Sequence, residues 1–492
     1  MEEFMLAIEQ NTSKSKAVLL DRTGEKVSSA SKEVETINPK SAWVECDPNQ
    51  LWGNIIGVIA DALAKSDVDS EQIAGIGIAN QRETTIVWDV ETGEAIYNAI
   101  SWQDKRTNNI CKELKERGLG DKIKEKTGLM IGTYFSAPKI EWILDNVEGA
   151  KKKAKEGKLR FGTIDSWLIW KLSGGNLHIT DYTNASRTML YNINELNWDS
   201  ELLDIFSIPK TMLPEVKSSS EVYGTTASHH FFGHNIPIAA AVGDRQASVF
   251  GHGCFEPGIA KSSYGQGGFV LMNTGSKLVK SNNGLLTTIA LAKDGEINYA
   301  LEGSIFTAQS ALEWLKDEMN LIEGITDAEY FANKVTDTDG VYFVPSFNGL
   351  AAPYWDLDAQ GTIVGLTRGT NKNHIIRAVL EGIAYRTRDI IEVMEQDSKI
   401  CLEKLKVDCI FGQDFLVPFQ ANILGCNIEY NEIDTTTIGV GYLAGLAVDY
   451  WQNKEEILDS CGSDYRFEPE MTEKVRNKLY KRWEKAISKA RI

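Results

Sequence analysis

Ile236-Pro237-Ile238-Ala239-Ala240-Ala241-Val242-Gly243-Asp244-Arg245-Gln246-Ala247 is a mostly apolar run of strand length that ends in Gly243 and one carboxylate. The residues that follow, Gln246 to Phe250, suit a helix. A buried strand turning into a helix is the α/β pattern, and open α/β sheets place their ligand crevices at the carboxyl ends of such strands. Asp244 stands at that end. Its carboxylate can cap the helix, or it can take a proton from a substrate hydroxyl as a general base. Position alone leaves both open.

Upstream, Phe4–Ile8, Lys16–Leu20 and Lys26–Val34 read as three strands, with turns at Gln10–Ser15 and at Arg22-Thr23-Gly24-Glu25. Asp47-Pro48-Asn49-Gln50 is a helix start: a capping carboxylate, proline at the first helical position and Gln three residues after the cap. Leu51, Trp52, Ile55, Ile56, Ile59, Ala60 and Leu63 then follow at helical spacing. Ile73–Ile78 and Thr84–Trp88 read as further strands. A similar hairpin opening recurs at Gly258–Tyr264, Gly265-Gln266-Gly267-Gly268 and Phe269–Asn273. Two hairpin-led halves predict two related α/β domains, 1–252 and 253–492, with the boundary in the turn-like Gly251–Pro257. Thr472–Ile492 predicts an amphipathic helix, with Val475, Leu479, Trp483 and Ile487 packed on the second half. Lys151-Lys152-Lys153 reads as a solvated helix face.

The 492 residues suffice for two or three domains at ~150 residues each. A net charge of −17 argues against nucleic acid as a partner. Seven cysteines, an odd number without a CxxC pair, predict reduced thiols and a cytoplasmic location. No apolar run reaches the ~18 residues needed for a membrane span. Met1-Glu2-Glu3-Phe4 lacks the basic start of a secretory signal.

Asn80-Gln81-Arg82-Glu83-Thr84-Thr85, Gly162–Trp170, Asp181-Tyr182-Thr183-Asn184-Ala185-Ser186-Arg187-Thr188-Met189-Leu190, Ala352-Pro353-Tyr354-Trp355-Asp356, Gly365-Leu366-Thr367-Arg368-Gly369 and Gly441-Tyr442-Leu443-Ala444-Gly445 resemble the glycerol kinases of the FGGY carbohydrate-kinase family. The resemblance runs from about Ala7 to the last helix. It implies two ribonuclease-H/actin-like domains with an interdomain cleft. It also implies transfer of the ATP γ-phosphate to a polyol hydroxyl with Mg²⁺, and a homodimer or homotetramer.

The resemblance puts glycerol-binding positions on Arg82, Glu83, Trp102, Tyr134, Asp244 and Phe269. The residue types suit a three-carbon triol: Arg82 and Glu83 offer donors and acceptors to adjacent hydroxyls, and the aromatic rings can cover C–H faces. Asp244 would orient the attacking hydroxyl and accept its proton. Read without the resemblance, Arg82-Glu83 can be an ion pair and Trp102 a core residue. Arg245 departs from the family, which usually has Gln there. Its guanidinium would weaken Asp244 as a base, favour an anionic polyol, or turn away to pair with another carboxylate.

The nucleotide side departs repeatedly. Where the family reads Asp-Gln-Gly-Thr-Thr-Ser, this chain has Glu9-Gln10-Asn11-Thr12-Ser13-Lys14. Asn11 adds a side chain where backbone N–H groups approach phosphate. Glu9 keeps a carboxylate for Mg²⁺, which it would share with Asp244, and Lys14 adds positive charge. Gln266 replaces a Thr between two glycines, Gln309 a Gly, and Glu313 an adenine-contacting Gln. Cys409 and Ile410 replace two glycines after a late strand. Ala351 and Gln360 also differ from the family. Each lost charge-assisted hydrogen bond costs ~1.5–3 kcal/mol, so three or four come to roughly 5–10 kcal/mol. These changes predict a catalytically impaired glycerol-binding paralogue. The alternatives are a working ATP:glycerol 3-phosphotransferase and a kinase for an anionic polyol.

Ser228-His229-His230-Phe231-Phe232-Gly233-His234 holds three of the six histidines. Gly233 breaks a helical pairing and no nearby Cys or carboxylate completes a metal site. The segment resembles the loop of Gram-positive glycerol kinases in which a His is phosphorylated by the phosphocarrier HPr. His230 matches that position, although its neighbours differ. A plain exposed loop is the alternative.

Overall fold

The computed structural model describes residues 2–231, 233–356, 358–409, 411–431, 434–458 and 465–491. It divides into two compact units. The first comprises Met1–Gly253, Thr288–Tyr299 and Asp434–Cys461, and the second comprises Cys254–Thr287, Ala300–Ile433 and Gly462–Ile492. The units therefore differ from the expected consecutive halves 1–252 and 253–492, because two later segments join the first unit.

Among the described residues, the first unit is built on a six-stranded sheet of β1 (Phe4–Gln10), β2 (Lys14–Leu20), β3 (Lys26–Glu33), β4 (Ile73–Asn80), β5 (Ser220–Thr225) and β6 (Pro237–Gly243). Their spatial order is β5-β6-β4-β1-β2-β3. β1, β2 and β3 form an antiparallel meander, while β1, β4 and β6 run parallel. β1 is buried along its whole length, as a central strand covered on both faces must be. Helix α1 (Pro48–Ala64) starts as its sequence predicts: Asp47 accepts the Asn49 N–H at 2.8 Å and Pro48 opens the first turn. The expected strand at Thr84–Trp88 runs from Ile86 to Asp89 and pairs with Leu159–Gly162, outside the main sheet.

Helix α2 (Ser136–Asn146) and helix α3 (Asp244–Gly251) also belong to this unit. The Thr435–Ala447 helix packs on α3 and on β1, β4 and β6. Its approach to α3 is set by glycine. A Cβ at Gly251 would collide with the Thr435 carbonyl, and one at Gly439 with the Ala247 carbonyl. Backbone rather than a flexible side chain stands in the way, so neither neighbour can swing aside. Gly439→Ala is expected to cost about 1–3 kcal/mol, the range for overpacking, read as a lower midpoint in urea unfolding. An unchanged midpoint would contradict this packing.

The second unit repeats the plan on a seven-stranded sheet, counted among the described residues. The strands of that sheet are β7 (Ile259–Tyr264), β8 (Gly268–Gly275), β9 (Leu286–Lys293), β10 (Glu296–Ile305), β11 (Lys404–Cys409), β12 (Asn427–Tyr430) and β13 (Tyr465–Phe467), with the Thr288–Tyr299 part of β9 and β10 counted in the first unit. The spatial order is β9-β10-β8-β7-β11-β12-β13. β7 and β8 form the expected hairpin, and β7, β11 and β12 run parallel. Helix α4 (Gln309–Asp317), the long α5 (Lys372–Ser398) and the C-terminal α6 (Glu473–Ala490) supply the helical side. Trp483 on α6 stacks on Tyr385 of α5 at 5.1 Å and donates its indole N–H to Asp389 at 3.0 Å. Val475, expected on the buried face of α6, is exposed.

Candidate active site

In the first unit the loop after β4 and the corner after β6 stand side by side, because β4 and β6 are paired with Asn80 opposite Gly243. Three further hydrogen bonds fasten this corner. Asn80 and Asn184 exchange side-chain hydrogen bonds at 2.9 and 3.0 Å, and Thr183 Oγ1 accepts the Gly243 N–H at 2.8 Å. Gly243 is needed here, since a Cβ would lie 2.7 Å from Arg82 Cδ.

Asp244 is the first residue of α3, and Gly243 occupies the cap position. Its carboxylate accepts the Arg245 N–H at 2.7 Å, in the first turn, where the helix dipole favours negative charge. It also stands 3.7 Å from Arg82 Nε and 3.9 Å from Arg245 Nε. Its side chain keeps 20% of its exposure, so a solute can reach it. Both expected parts of Asp244 are thus open to it geometrically: it serves the helix start and remains reachable.

Arg82 is buried, donates to Gln246 Oε1 at 3.3 Å and lies 4.0 Å from Glu83. Glu83 has a left-handed backbone, φ 63°, and accepts Arg187 Nε at 2.6 Å. The Arg187 guanidinium lies over the Tyr134 ring at 5.6 Å. Tyr134 meets Trp102 edge-on at 5.4 Å, and the Trp102 indole N–H is donated to Thr12 Oγ1 at 2.8 Å. The predicted residues Arg82, Glu83, Trp102, Tyr134, Asp244 and Arg245 are thereby linked in one unit. Phe269 is on β8 of the second unit.

Sequence reasoning missed three linking residues: Arg187, Gln246 and Thr183. Arg187 and Thr183 lay in a motif quoted for the resemblance, but nothing local to that motif pointed to their partners. Thr12, expected among the phosphate-loop residues, accepts the Trp102 indole N–H.

The first loop, between β1 and β2, is occupied by its own side chain. Asn11 Oδ1 accepts the Ser13 N–H at 3.0 Å and the Lys14 N–H at 2.8 Å, while its amide donates to Glu9 at 3.1 Å. This is the local competition of an Asn side chain for backbone groups. Those two N–H groups cannot at the same time serve a phosphate. Burial, and then the Asp434 carboxylate, push the Glu9 carboxyl up to about 7. Lys16 pairs with Asp434, and the Asp244 charge also raises Glu9. Among the described residues no cluster of three His, Cys, Asp or Glu side chains is disposed to hold a metal alone. Two carboxylates are enough for Mg²⁺, which keeps waters and takes phosphate oxygens. Glu9 and Asp244 fit that need, and a cation would favour the ionised form of Glu9.

In the second unit three substituted positions meet. Glu313 Oε1 accepts Gln266 Nε2 at 2.7 Å and Gln309 Nε2 at 2.9 Å. The Gln266 carbonyl accepts the Ala308 N–H at 3.0 Å, which holds the glycine turn against the start of α4. Cys409 ends β11 opposite Tyr264. The Cys409 side chain and Ile410 lie outside the described residues.

His230 is half-buried beside Trp52, ring centroids 5.0 Å apart, and its Nε2–H is donated to the Lys171 carbonyl at 3.1 Å. Burial, then His229, hold its pKa below the usual value. It is therefore a held ring, whereas His229 is exposed.

Comparison with known proteins agrees with this fold. Residues 4–251 match the N-terminal domain, and 260–448 the C-terminal domain, of the FGGY family of carbohydrate kinases. The chain is 54% identical over 492 residues to a glycerol kinase of Bacillus subtilis, covering 100% of this chain and 99% of that one. It is 56% identical to a glycerol kinase of Carboxydothermus hydrogenoformans, covering 100% and 98%. The crystal structure of Plasmodium falciparum glycerol kinase with ADP superposes with a TM-score of 0.95 at 36% identity, over 100% of this chain and 99% of that one. These likenesses carry no sign of impaired catalysis, so the expected impaired paralogue finds no support in them. No described helix is long and apolar enough to cross a membrane.

Proposed function

The chain belongs to the FGGY family of carbohydrate kinases, and from that premise we propose that it binds glycerol in its first unit and phosphorylates it from ATP, giving glycerol 3-phosphate. The observation that carries this reading is the connected set of buried Arg82, Glu83 and Arg187 with the reachable Asp244, walled by Trp102 and Tyr134. Buried charges are expensive unless they are paired. A set that pairs internally and still leaves one carboxylate reachable suits a small polyhydroxy ligand. Arg82 and Glu83 offer donor and acceptor to neighbouring hydroxyls, and Asp244 takes the proton of the one that attacks. Mg²⁺ held by Glu9 and Asp244 would offset charge on the transferring phosphoryl group. The test is ADP release in a coupled assay. Release that requires glycerol supports the reading. Its absence at millimolar ATP and glycerol contradicts it.

A second reading, in which glycerol is bound and ATP is used weakly, is favoured by the Asn11 carboxamide on the Ser13 and Lys14 N–H groups and by the Glu313 carboxylate on Gln266. Freeing one charge-assisted bond is worth ~1.5–3 kcal/mol, roughly tenfold or more in affinity. The double variant Asn11→Gly, Gln266→Thr is therefore expected to bind ATP-Mg²⁺ at least about tenfold more tightly by calorimetry. An unchanged Kd would remove this second reading and leave the first intact.

A further inference from the structure

Lys139, on α2, is completely buried. A buried ammonium is normally matched by a carboxylate. The Lys139 Nζ instead donates to two neutral carbonyls, Tyr134 O at 2.6 Å and Phe135 O at 3.3 Å. These are the two residues that lead into α2. The Tyr134 ring touches Trp102 on one side and lies beneath the Arg187 guanidinium, which in turn holds Glu83. One amine therefore fastens the backbone from which the aromatic wall of the site projects.

We propose that Lys139 is a positioning residue for the polyol site, setting Tyr134 against Trp102 through the carbonyls of 134 and 135. This rests on the glycerol reading above. The charged and titratable groups facing it are Glu83 after β4, Asp104 and Arg106 on the loop that carries Trp102, and Cys111 on the Asn108–Glu116 helix. Burial pushes the ammonium down to about 7; Glu83, Asp104 and Cys111 oppose that, and Arg106 adds to it. Below about 7 the group is cationic and sets a positive charge facing the Glu83 acceptor. Above it, the neutral amine keeps enough N–H groups for both carbonyls but loses the charge. Glycerol affinity is thus expected to fall as pH rises through neutrality.

The experiment measures glycerol binding by calorimetry from pH 6 to 8.5, apart from turnover, on the full chain and on Lys139→Gln and Lys139→Met. The expected wild-type Kd rises about threefold across that range, reflecting the changed charge beside Glu83. Lys139→Gln, which keeps a donor and carries no charge, is expected to flatten the profile. Lys139→Met is expected to weaken glycerol about tenfold at pH 6, the loss of about one hydrogen bond to a charged donor, and, having no amine to titrate, to show a flat profile, with ATP binding unchanged. If the methionine variant does not fold, the glutamine variant alone decides. A glutamine variant with the wild-type Kd and wild-type pH profile overturns the proposal. Wild-type protein that binds no glycerol overturns the functional reading, and this proposal with it.

Discussion

Asp244→Asn is expected to lower glycerol-dependent ATP turnover by about 10²–10⁴, the span for loss of a general base, while leaving glycerol Kd within about threefold. The two halves of this expectation have separate physical sources. Asparagine is isosteric and its Oδ1 can still accept the Arg245 N–H that the carboxylate accepts at 2.7 Å, so the start of α3 is preserved. What disappears is the basic oxygen. Arg82 and Glu83 are untouched, and they supply the donors and acceptors assigned to the ligand hydroxyls. A variant that loses binding and turnover in parallel would show that Asp244 holds ligand without acting on it. One that keeps turnover would place the base elsewhere.

Arg187→Met is expected to destabilise the protein by about 3–5 kcal/mol, the cost of stripping one partner from a buried ion pair. Arg187 and Glu83 are both buried, 2.6 Å apart. Arg82 Nε stands farther from Glu83, at 4.0 Å. The buried Glu83 carboxylate then loses its shortest recorded charge partner. At about 2–4 °C per kcal/mol for a domain of this size, the melting temperature falls by roughly 6–20 °C. The same loss recurs at the ligand, because Glu83 is then no longer held by the Arg187 guanidinium. Glycerol affinity should fall with it. The double replacement Glu83→Gln, Arg187→Met, which removes both charges, is expected to recover much of the stability and none of the binding. Recovery of binding in the double variant would mean that the pair serves only the fold.

Much of the architecture was legible because strands buried on both faces and capped helices write local patterns. β1, the Asp47-Pro48 start of α1 and the β7–β8 hairpin stand where their residues predict them. The place of the Thr435–Ala447 helix was not legible. It is apolar on nearly every side, so periodicity says that it is buried and not against which sheet; glycine contacts with α3 decide that. Glu83 and Arg187 are 104 positions apart, and nothing in either neighbourhood announces their meeting. Asn11 shows a subtler limit. Reading it as a side chain in the way of phosphate identified the position, but its bonds to Ser13 and Lys14 are a folded property of the loop. Lys139 reads as an ordinary helix lysine next to Ile140 and Glu141; only tertiary packing turns it inward.

Phosphorus NMR of the wild-type chain with ATP, Mg²⁺ and glycerol follows donor and product in one sample. A growing glycerol 3-phosphate resonance matched by ADP is expected, with neither appearing when glycerol is left out. Glycerol that binds by calorimetry while the ATP resonances stay unchanged over hours would contradict it.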